Sequence, residues 1–217
     1  GPTYLSPVIQ VVGHLKTGEK TMTPGKYVIG TISGEVTGKL DNIVLEGLET
    51  SKKILSIEDG KLILEIVGMR EAGTVFWAGA NSNKWDLGES ESFKIDNDAT
   101  VFVSGDNVIF NDDAANMTVN VQGSVIPKTI TVDNTGAYTF QGTGGIDGTA
   151  KFVKEGTGKV TMTNNNLYTG GNTLSGGVTI VSQLSNAITE TGNLGGVTGA
   201  GKFVMQNGAE LNSTAAV

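Results

Sequence analysis

The residues best suited to ligand chemistry are the two tryptophans of the chain, Trp77 and Trp85. An exposed amphipathic ring can stack on the apolar face of a sugar, so this pair could form a carbohydrate-binding platform. The same rings could instead plug the junction between an N-terminal segment and the region that follows. The sequence favours the plug, and the sugar platform remains the alternative.

A cluster of aspartates could supply oxygen ligands to a metal ion. Ca²⁺ takes six to eight oxygens, often from Asp and Asn side chains. Residues 96–98 begin like an EF-hand loop, but the glycine at position 6 and the glutamate at position 12 of that motif are missing. Solvated turn carboxylates are therefore the favoured interpretation, and no cofactor is expected, with Ca²⁺ as the alternative. The candidate ligands are Asp96, Asp98, Asp106, Asp112 and Asp113.

Residues for catalysis are scarce. His14 is the sole histidine, the chain has no cysteine, and the nucleophile motif Gly-x-Ser-x-Gly does not occur. Glycoside hydrolysis needs two carboxylates set about 5–9.5 Å apart, and Asp133 and Asp147 have no evident partners of that kind. Arg70, the only arginine, precedes the region of regular repeats. We expect no enzymatic activity, with a β-helix polysaccharide lyase or hydrolase fragment as a remote alternative.

The charge balance bears on the class of partner. The net charge is −7 and the pI is near 4.7, so the chain lacks the basic stripe that nucleic-acid recognition requires. No apolar run approaches the roughly 18–20 residues of a membrane helix, so we expect no membrane insertion by this chain. Gly1 and Pro2 are typical of tag cleavage, so an export signal could have been removed. The absence of cysteine weakly favours an exported protein.

The elements that must position these residues are short strands. Gly accounts for 32 of 217 residues, about twice the usual share of roughly 7%, which predicts many tight corners. Asp59-Gly60 stands between two alternating runs and predicts a hairpin with a type I′ turn. Residues 3–70 are therefore interpreted as a β-rich cap or preceding module, and residues 68–73 as the boundary after it.

From residue 93 onward, short alternating runs recur at intervals of about 8–12 residues, separated by Gly, Thr and Asn corners. Most corners are too long for two-residue hairpins, which favours a coil of stacked turns over a sandwich or barrel. We predict an all-β fold with a right-handed parallel β-helix over residues 75–217. Each turn of about 20 residues would stack on the next at roughly 4.8 Å.

One stretch resembles a known family. Residues 156–163 (GTGKVTMT) and 168–180 (YTGGNTLSGGVTI) resemble the autotransporter-associated β-strand repeat, also called the passenger-associated transport repeat. Leu167 stands where that family usually has Thr, and residues 164–166 are richer in Asn than is typical. The resemblance covers residues 75–217, and its motif is carried by residues 148–181. The motif positions are Gly156, Gly158, Tyr168, Gly170, Gly171, Gly176 and Gly177.

The resemblance implies a secreted or cell-surface bacterial protein with a β-helical passenger that acts as a scaffold. It also implies that Tyr168 packs over glycine at a bend. The three asparagines at 164–166 are interpreted as an exposed turn, because no matching Asn lies one turn away. We therefore predict a non-catalytic, structural or adhesive spacer whose main partner is the remainder of a longer polypeptide. The alternative is a carbohydrate-binding module for cell-surface, dietary or host glycans.

Overall fold

The computed structural model describes residues 8–10, 24–32, 40, 43–46, 51–181, 188–189, 197–198, 202–205 and 211–212. The chain forms two compact units, Gly1–Arg70 and Glu71–Val217. All regular elements assigned in the described residues are β-strands, apart from a single residue at position 40 in 3₁₀ geometry. The fold is therefore all-β.

The first unit contains a three-stranded antiparallel sheet and a two-stranded parallel pair. Its strands are β1 (Val8–Gln10), β2 (Gly25–Thr31), β3 (Val44–Glu46), β4 (Lys53–Glu58) and β5 (Lys61–Ile66). The sheet has the order β2-β5-β4, and β1 pairs with β3. Asp59 and Gly60 form the hairpin turn at φ 48° and 68°, as the Asp-Gly pair predicts.

The second unit is a parallel β-solenoid, which confirms the predicted fold class. Two strands form its first layer, here called the end layer: β6 (Thr74–Trp77) and β7 (Lys84–Trp85). A two-stranded hairpin follows: β8 (Phe93–Ile95) and β9 (Asp98–Thr100). Turn 1 then contains β10 (Asn107–Asn111), β11 (Thr118–Val121) and β12 (Ser124–Val125).

Three further turns repeat this arrangement. Turn 2 contains β13 (Thr129–Asp133), β14 (Ala137–Gln141) and β15 (Gly145–Ile146). Turn 3 contains β16 (Lys151–Glu155) and β17 (Lys159–Met162), and turn 4 contains β18 (Asn172–Leu174) and β19 (Val178–Val181). The chain continues through β20 (Ile188–Thr189), β21 (Val197–Thr198), β22 (Lys202–Met205) and β23 (Leu211–Asn212).

The turns stack in strict register. Asn107 lies beside Thr129, and Thr129 lies beside Lys151, so each of these turns takes 22 residues. The first long sheet has the order β21-β18-β16-β13-β10-β6-β8-β9, and the second has the order β22-β19-β17-β14-β11-β7. A third, shorter side pairs β12 with β15. Every pairing between turns is parallel, whereas β8 and β9 pair antiparallel.

Strand alternation builds the core. In β10, Val108 and Phe110 face inward, while Asn107, Ile109 and Asn111 remain partly exposed. The same alternation in the next turns stacks apolar side chains along the axis, so that each turn covers the apolar face of its neighbour. The result is one continuous hydrophobic cluster from Val75 to Val181.

Two segments depart from the regular recurrence of strands that the sequence predicts from residue 93 onward. Thr100 ends the antiparallel hairpin, and the alternating residues 101–103 after it are not a strand. Conversely, the Gly- and Asn-rich interval at 164–177 contains β18. Alternation alone distinguishes neither a parallel from an antiparallel partner nor a three-residue strand from a loop.

Candidate functional site

The two tryptophans lie in the solenoid core. Trp77 and Trp85 are both 0% exposed, and their ring centroids lie 5.1 Å and 6.0 Å from that of Phe93. A sugar platform needs an open ring face, so the hypothesis that these two residues stack on a glycan does not hold for this structure. The rings fill the interior of the second unit at its end layer, which is a packing role.

The five candidate aspartates do not converge on one point. Asp106 is buried, and its carboxylate accepts hydrogen bonds from the backbone amides of Gly73 and Val103, each at 2.9 Å. Asp112 lies at an exposed corner, and Asp113 accepts a hydrogen bond of 3.1 Å from the Asn111 side chain. Within the described residues, no group of three or more His, Cys, Asp or Glu side chains is placed to hold a metal ion.

The remaining two aspartates belong to the β8–β9 hairpin. Asp96 occupies the turn with φ 53°, and Asp98 is the first residue of β9. Both are exposed. They are therefore surface carboxylates at the outermost strand of the first long sheet.

The motif glycines line the corners between the strands. At Gly158 an added Cβ would lie 2.7 Å from the carbonyl carbon of Thr135 in the preceding turn. At Gly177, with φ 64°, it would lie 3.0 Å from the Gly156 carbonyl oxygen. Successive backbones thus approach too closely for any side chain. Comparable backbone contacts below 3.0 Å occur at Gly156, Gly170 and Gly176, and Gly171 has φ 86°.

Inside the corner that joins the two long sheets, polar side chains bind backbone carbonyls. Trp77 Nε1 donates to the Asn116 carbonyl at 2.7 Å, and Tyr138 Oη donates to the Asn111 carbonyl at 2.6 Å. The next turn uses Asn134, whose Nδ2 donates to the carbonyls of Gly136 and Lys159 at 2.9 and 3.0 Å. The corner backbone cannot complete the sheet ladder, so these donors satisfy its carbonyls.

Lys154 continues this series in turn 3. It pairs with Val132 and Leu174 in register, and its side chain is fully buried. Its Nζ donates to the carbonyls of Glu155 and Gly156. Burial lowers the pKa of Lys154, an effect that the carboxylates of Asp133, Asp112 and Glu155 oppose. The lysine stem therefore packs as part of the core while the amine binds the corner.

Two of the three asparagines at 164–166 are buried, so the expectation of an exposed turn was wrong for them. Asn164 Nδ2 donates to Asn166 Oδ1 at 2.7 Å, and the reciprocal bond measures 3.2 Å. Asn166 Oδ1 also accepts from the Ile146 amide at 3.0 Å. The Asn166 side chain therefore takes the place of a backbone acceptor beside β15, while the Leu167 amide still donates to the Ile146 carbonyl at 2.8 Å. Of the three asparagines, only Asn165 is exposed.

Tyr168 points into the core instead of packing over glycine at the bend. Its side chain is fully buried, its ring stacks on Phe152 with centroids 6.4 Å apart, and its hydroxyl donates to Asn172 Oδ1 at 2.7 Å. Burial raises the pKa of Tyr168 well above its usual value. Tyr168 is thus a packing residue.

One concave surface lies beside the end layer. It is an open groove of about 370 Å³ between the β8–β9 hairpin and the corners of the end layer and turn 1. Small side chains line part of it, including Ala78, Ala80, Ala99 and Ala115. Its polar lining consists of Asn81, Glu91, Lys94, Asn97 and Asp113.

The groove lining mixes hydrogen-bond donors and acceptors and carries little net charge. Sequence reasoning missed this surface, because its residues come from three separate segments. No sequence pattern predicts that the β8–β9 hairpin folds back toward Ala78 and Ala115. Arg70, which was weighed as a catalytic candidate, is not among the lining residues, and His14 lies outside the described residues.

No helix among the described residues combines the length and apolarity needed to cross a membrane. Comparison of the chain with protein-family models, curated proteins and solved structures finds no match.

Proposed function

We propose that this chain is a non-catalytic β-helical scaffold, a stiff spacer with an adhesive role in a longer secreted or surface-exposed bacterial polypeptide. The observation that carries the proposal is the unbroken parallel register from β6 through β10, β13 and β16 to β18. A coil in which each turn covers its neighbour resists bending as a unit, because local bending must break several ladder bonds together.

The distribution of special residues supports the same proposal. The corner glycines stand where the backbones approach too closely for a side chain, and the buried side chains of Asn134 and Lys154 satisfy corner carbonyls. The resemblance of residues 148–181 to the autotransporter-associated repeat points to export and to a scaffold function. The remainder of the longer polypeptide would then be the principal partner.

Force spectroscopy on the tethered 217-residue chain tests the spacer function. We expect the second unit to stay stiff under load and then to lengthen in steps, with 22-residue turns released singly or in small groups. Smooth lengthening at low force would contradict a stiff spacer. Depolymerisation of any polysaccharide in an activity panel would contradict the non-catalytic assignment.

A second candidate function is carbohydrate binding. The groove beside the end layer would be the binding site, because Trp77 and Trp85 are buried. An apolar sugar face would lie against the alanines, and its hydroxyls would meet Asn81 and Asn97. A glycan array screened with the wild-type chain and with Asn81→Ala/Asn97→Ala tests it. Asn165→Ala, an exposed asparagine on turn 3, is the matched control. Retention that Asn81→Ala/Asn97→Ala abolishes and Asn165→Ala preserves is the expected result for a groove ligand.

A further inference from the structure

The end layer is the first layer of the solenoid, so its strands have a solenoid turn on one side only. β6 pairs with β10 and β7 pairs with β11, but among the described strands neither has a parallel neighbour on its other side. An uncovered layer would expose a row of backbone amides and carbonyls together with the side chains of Val75, Trp77 and Trp85. All three of those side chains are 0% exposed in the structure.

Residues 86–103 supply the cover. β8 pairs antiparallel with β6, placing Lys94 beside Phe76 and Phe93 beside Trp77. The Ser92 carbonyl accepts the amides of Ala78 and Gly79 at 2.9 and 3.0 Å, and the Ser92 hydroxyl donates to the Lys84 carbonyl at 2.6 Å. A single segment therefore binds the edges of both long sheets.

The same segment closes the core. The ring of Phe102 lies 5.5 Å from that of Trp85, and the ring of Phe93 lies 5.1 Å from that of Trp77. Gly88 N donates to the Phe102 carbonyl at 2.9 Å, which ties the start of the segment to its end. Phe93 and Phe102 are themselves 1% and 0% exposed.

The segment is strongly acidic. Residues 86–103 contain five carboxylates and one lysine. Four of the carboxylates are exposed, and the fifth, Asp86, is partly buried and accepts hydrogen bonds from Ser90. The outermost strand, β9, has only three residues, with Asp98 in it and Asp96 in the turn before it. Short edge strands carrying charge are a general means by which proteins prevent edge-to-edge pairing.

We propose that residues 86–103 are an assembly-limiting cap, which prevents the end layer of one molecule from pairing with a second copy of this chain. A second copy is the relevant partner because a twofold axis would bring two identical edges together antiparallel. β6 already accepts an antiparallel neighbour in β8, so its geometry suits that pairing. The cap fills this place, and its carboxylates repel an identical cap.

Neutralising the carboxylates at the outer edge of the cap tests whether charge repulsion limits self-association. The variant Asp96→Asn/Asp98→Asn keeps the side-chain shapes, and Asn tolerates the positive φ of residue 96. Removing two like-charge contacts should tighten self-association about five- to thirtyfold at low salt. Asp59→Asn, which neutralises an exposed carboxylate in a positive-φ turn of the first unit, is the matched control and should leave it unchanged.

Replacement of residues 90–101 by a Gly/Ser segment of equal length tests whether the cap covers the edge of the end layer. Light scattering after size exclusion should show a folded dimer or larger oligomer for this variant and a monomer for the wild-type chain. A folded, monomeric Gly/Ser variant would overturn the proposal. If that variant does not fold, Asp96→Asn/Asp98→Asn decides: equal self-association of this variant, its control and the wild-type chain overturns the proposal.

Discussion

Asp112 binds Thr135 across the gap between turns 1 and 2. Its carboxylate accepts the Thr135 backbone amide and hydroxyl, each at 2.8 Å, and also the Gly136 amide at 3.2 Å. These bonds join residues 23 and 24 positions apart in the chain. One exposed carboxylate thus accepts the two corner amides in place of a backbone carbonyl.

Acidification should release this contact. The hydrogen bonds from Thr135 and Gly136 lower the pKa of Asp112, so ionised Asp112 stabilises the folded state. That stabilisation is present above the unfolded-state pKa and is lost as the pH falls through the lower folded-state pKa. We expect Asp112→Asn to flatten the acid limb of a plot of unfolding free energy against pH. Asp133→Asn, another exposed acid, is the control; an unchanged limb in Asp112→Asn would contradict the assignment.

Two substitutions of Lys154 separate the contribution of its aliphatic stem to stability from that of its amine. Lys154→Ala should lower the free energy of unfolding by about 2–5 kcal/mol, because it leaves a cavity beside Val132 and Leu174. Lys154→Met keeps the stem volume but leaves the Glu155 and Gly156 carbonyls without their Nζ donor, so we expect a smaller loss of about 1–3 kcal/mol. Chemical denaturation of both variants measures this difference, and equal losses would show that the amine dominates.

Lys154 also makes the free energy of unfolding depend on pH, but here folding disfavours the charged form, whereas for Asp112 folding favours it. Burial lowers its folded-state pKa, so the protonated amine is less favourable in the folded state than in the unfolded state. This penalty is full below the folded-state pKa and is relieved as the pH rises to the unfolded-state value. The alkaline gain in stability should therefore be present in wild type and absent in Lys154→Met.

Gly158→Ala isolates the steric demand of the corners. Gly158 does not have a positive φ, so the substitution adds only a methyl group, 2.7 Å from the Thr135 carbonyl carbon. We expect a loss of about 1–3 kcal/mol, since a close-packed backbone cannot move aside freely. Gly73→Ala is the control, because its Cβ would meet nothing within 4 Å. Similar melting temperatures for the two variants would refute the close approach of the turns.

The two tryptophans provide a matched pair. Trp77 Nε1 has an acceptor in the Asn116 carbonyl, whereas Trp85 Nε1 is buried without a hydrogen-bond partner among the described residues. Trp77→Phe therefore leaves a carbonyl unpaired and should cost about 1–3 kcal/mol more than Trp85→Phe. Thermal unfolding compares them. Equal losses would mean that the Trp77 hydrogen bond contributes nothing.

The amino-acid sequence by itself determined the class of fold and the places where the chain bends. Alternating runs such as residues 151–154 specify strands with one buried face, and glycines such as Gly158 and Gly177 mark corners that admit no side chain. Asp59-Gly60 specified its hairpin locally, since both residues adopt positive φ. These features are encoded within a few residues and need no distant partner.

Only the tertiary structure decided which neighbour each strand meets. The alternation at residues 93–95 is the same for a parallel and an antiparallel partner, and the packing of Phe93 and Phe102 on Trp77 and Trp85 makes this segment a cap. The exposed turn expected at residues 164–166 was wrong for the same reason. Whether Asn166 faces water or the core depends on the Ile146 amide in the preceding turn, and the alternation of residues along the sequence does not reveal that contact.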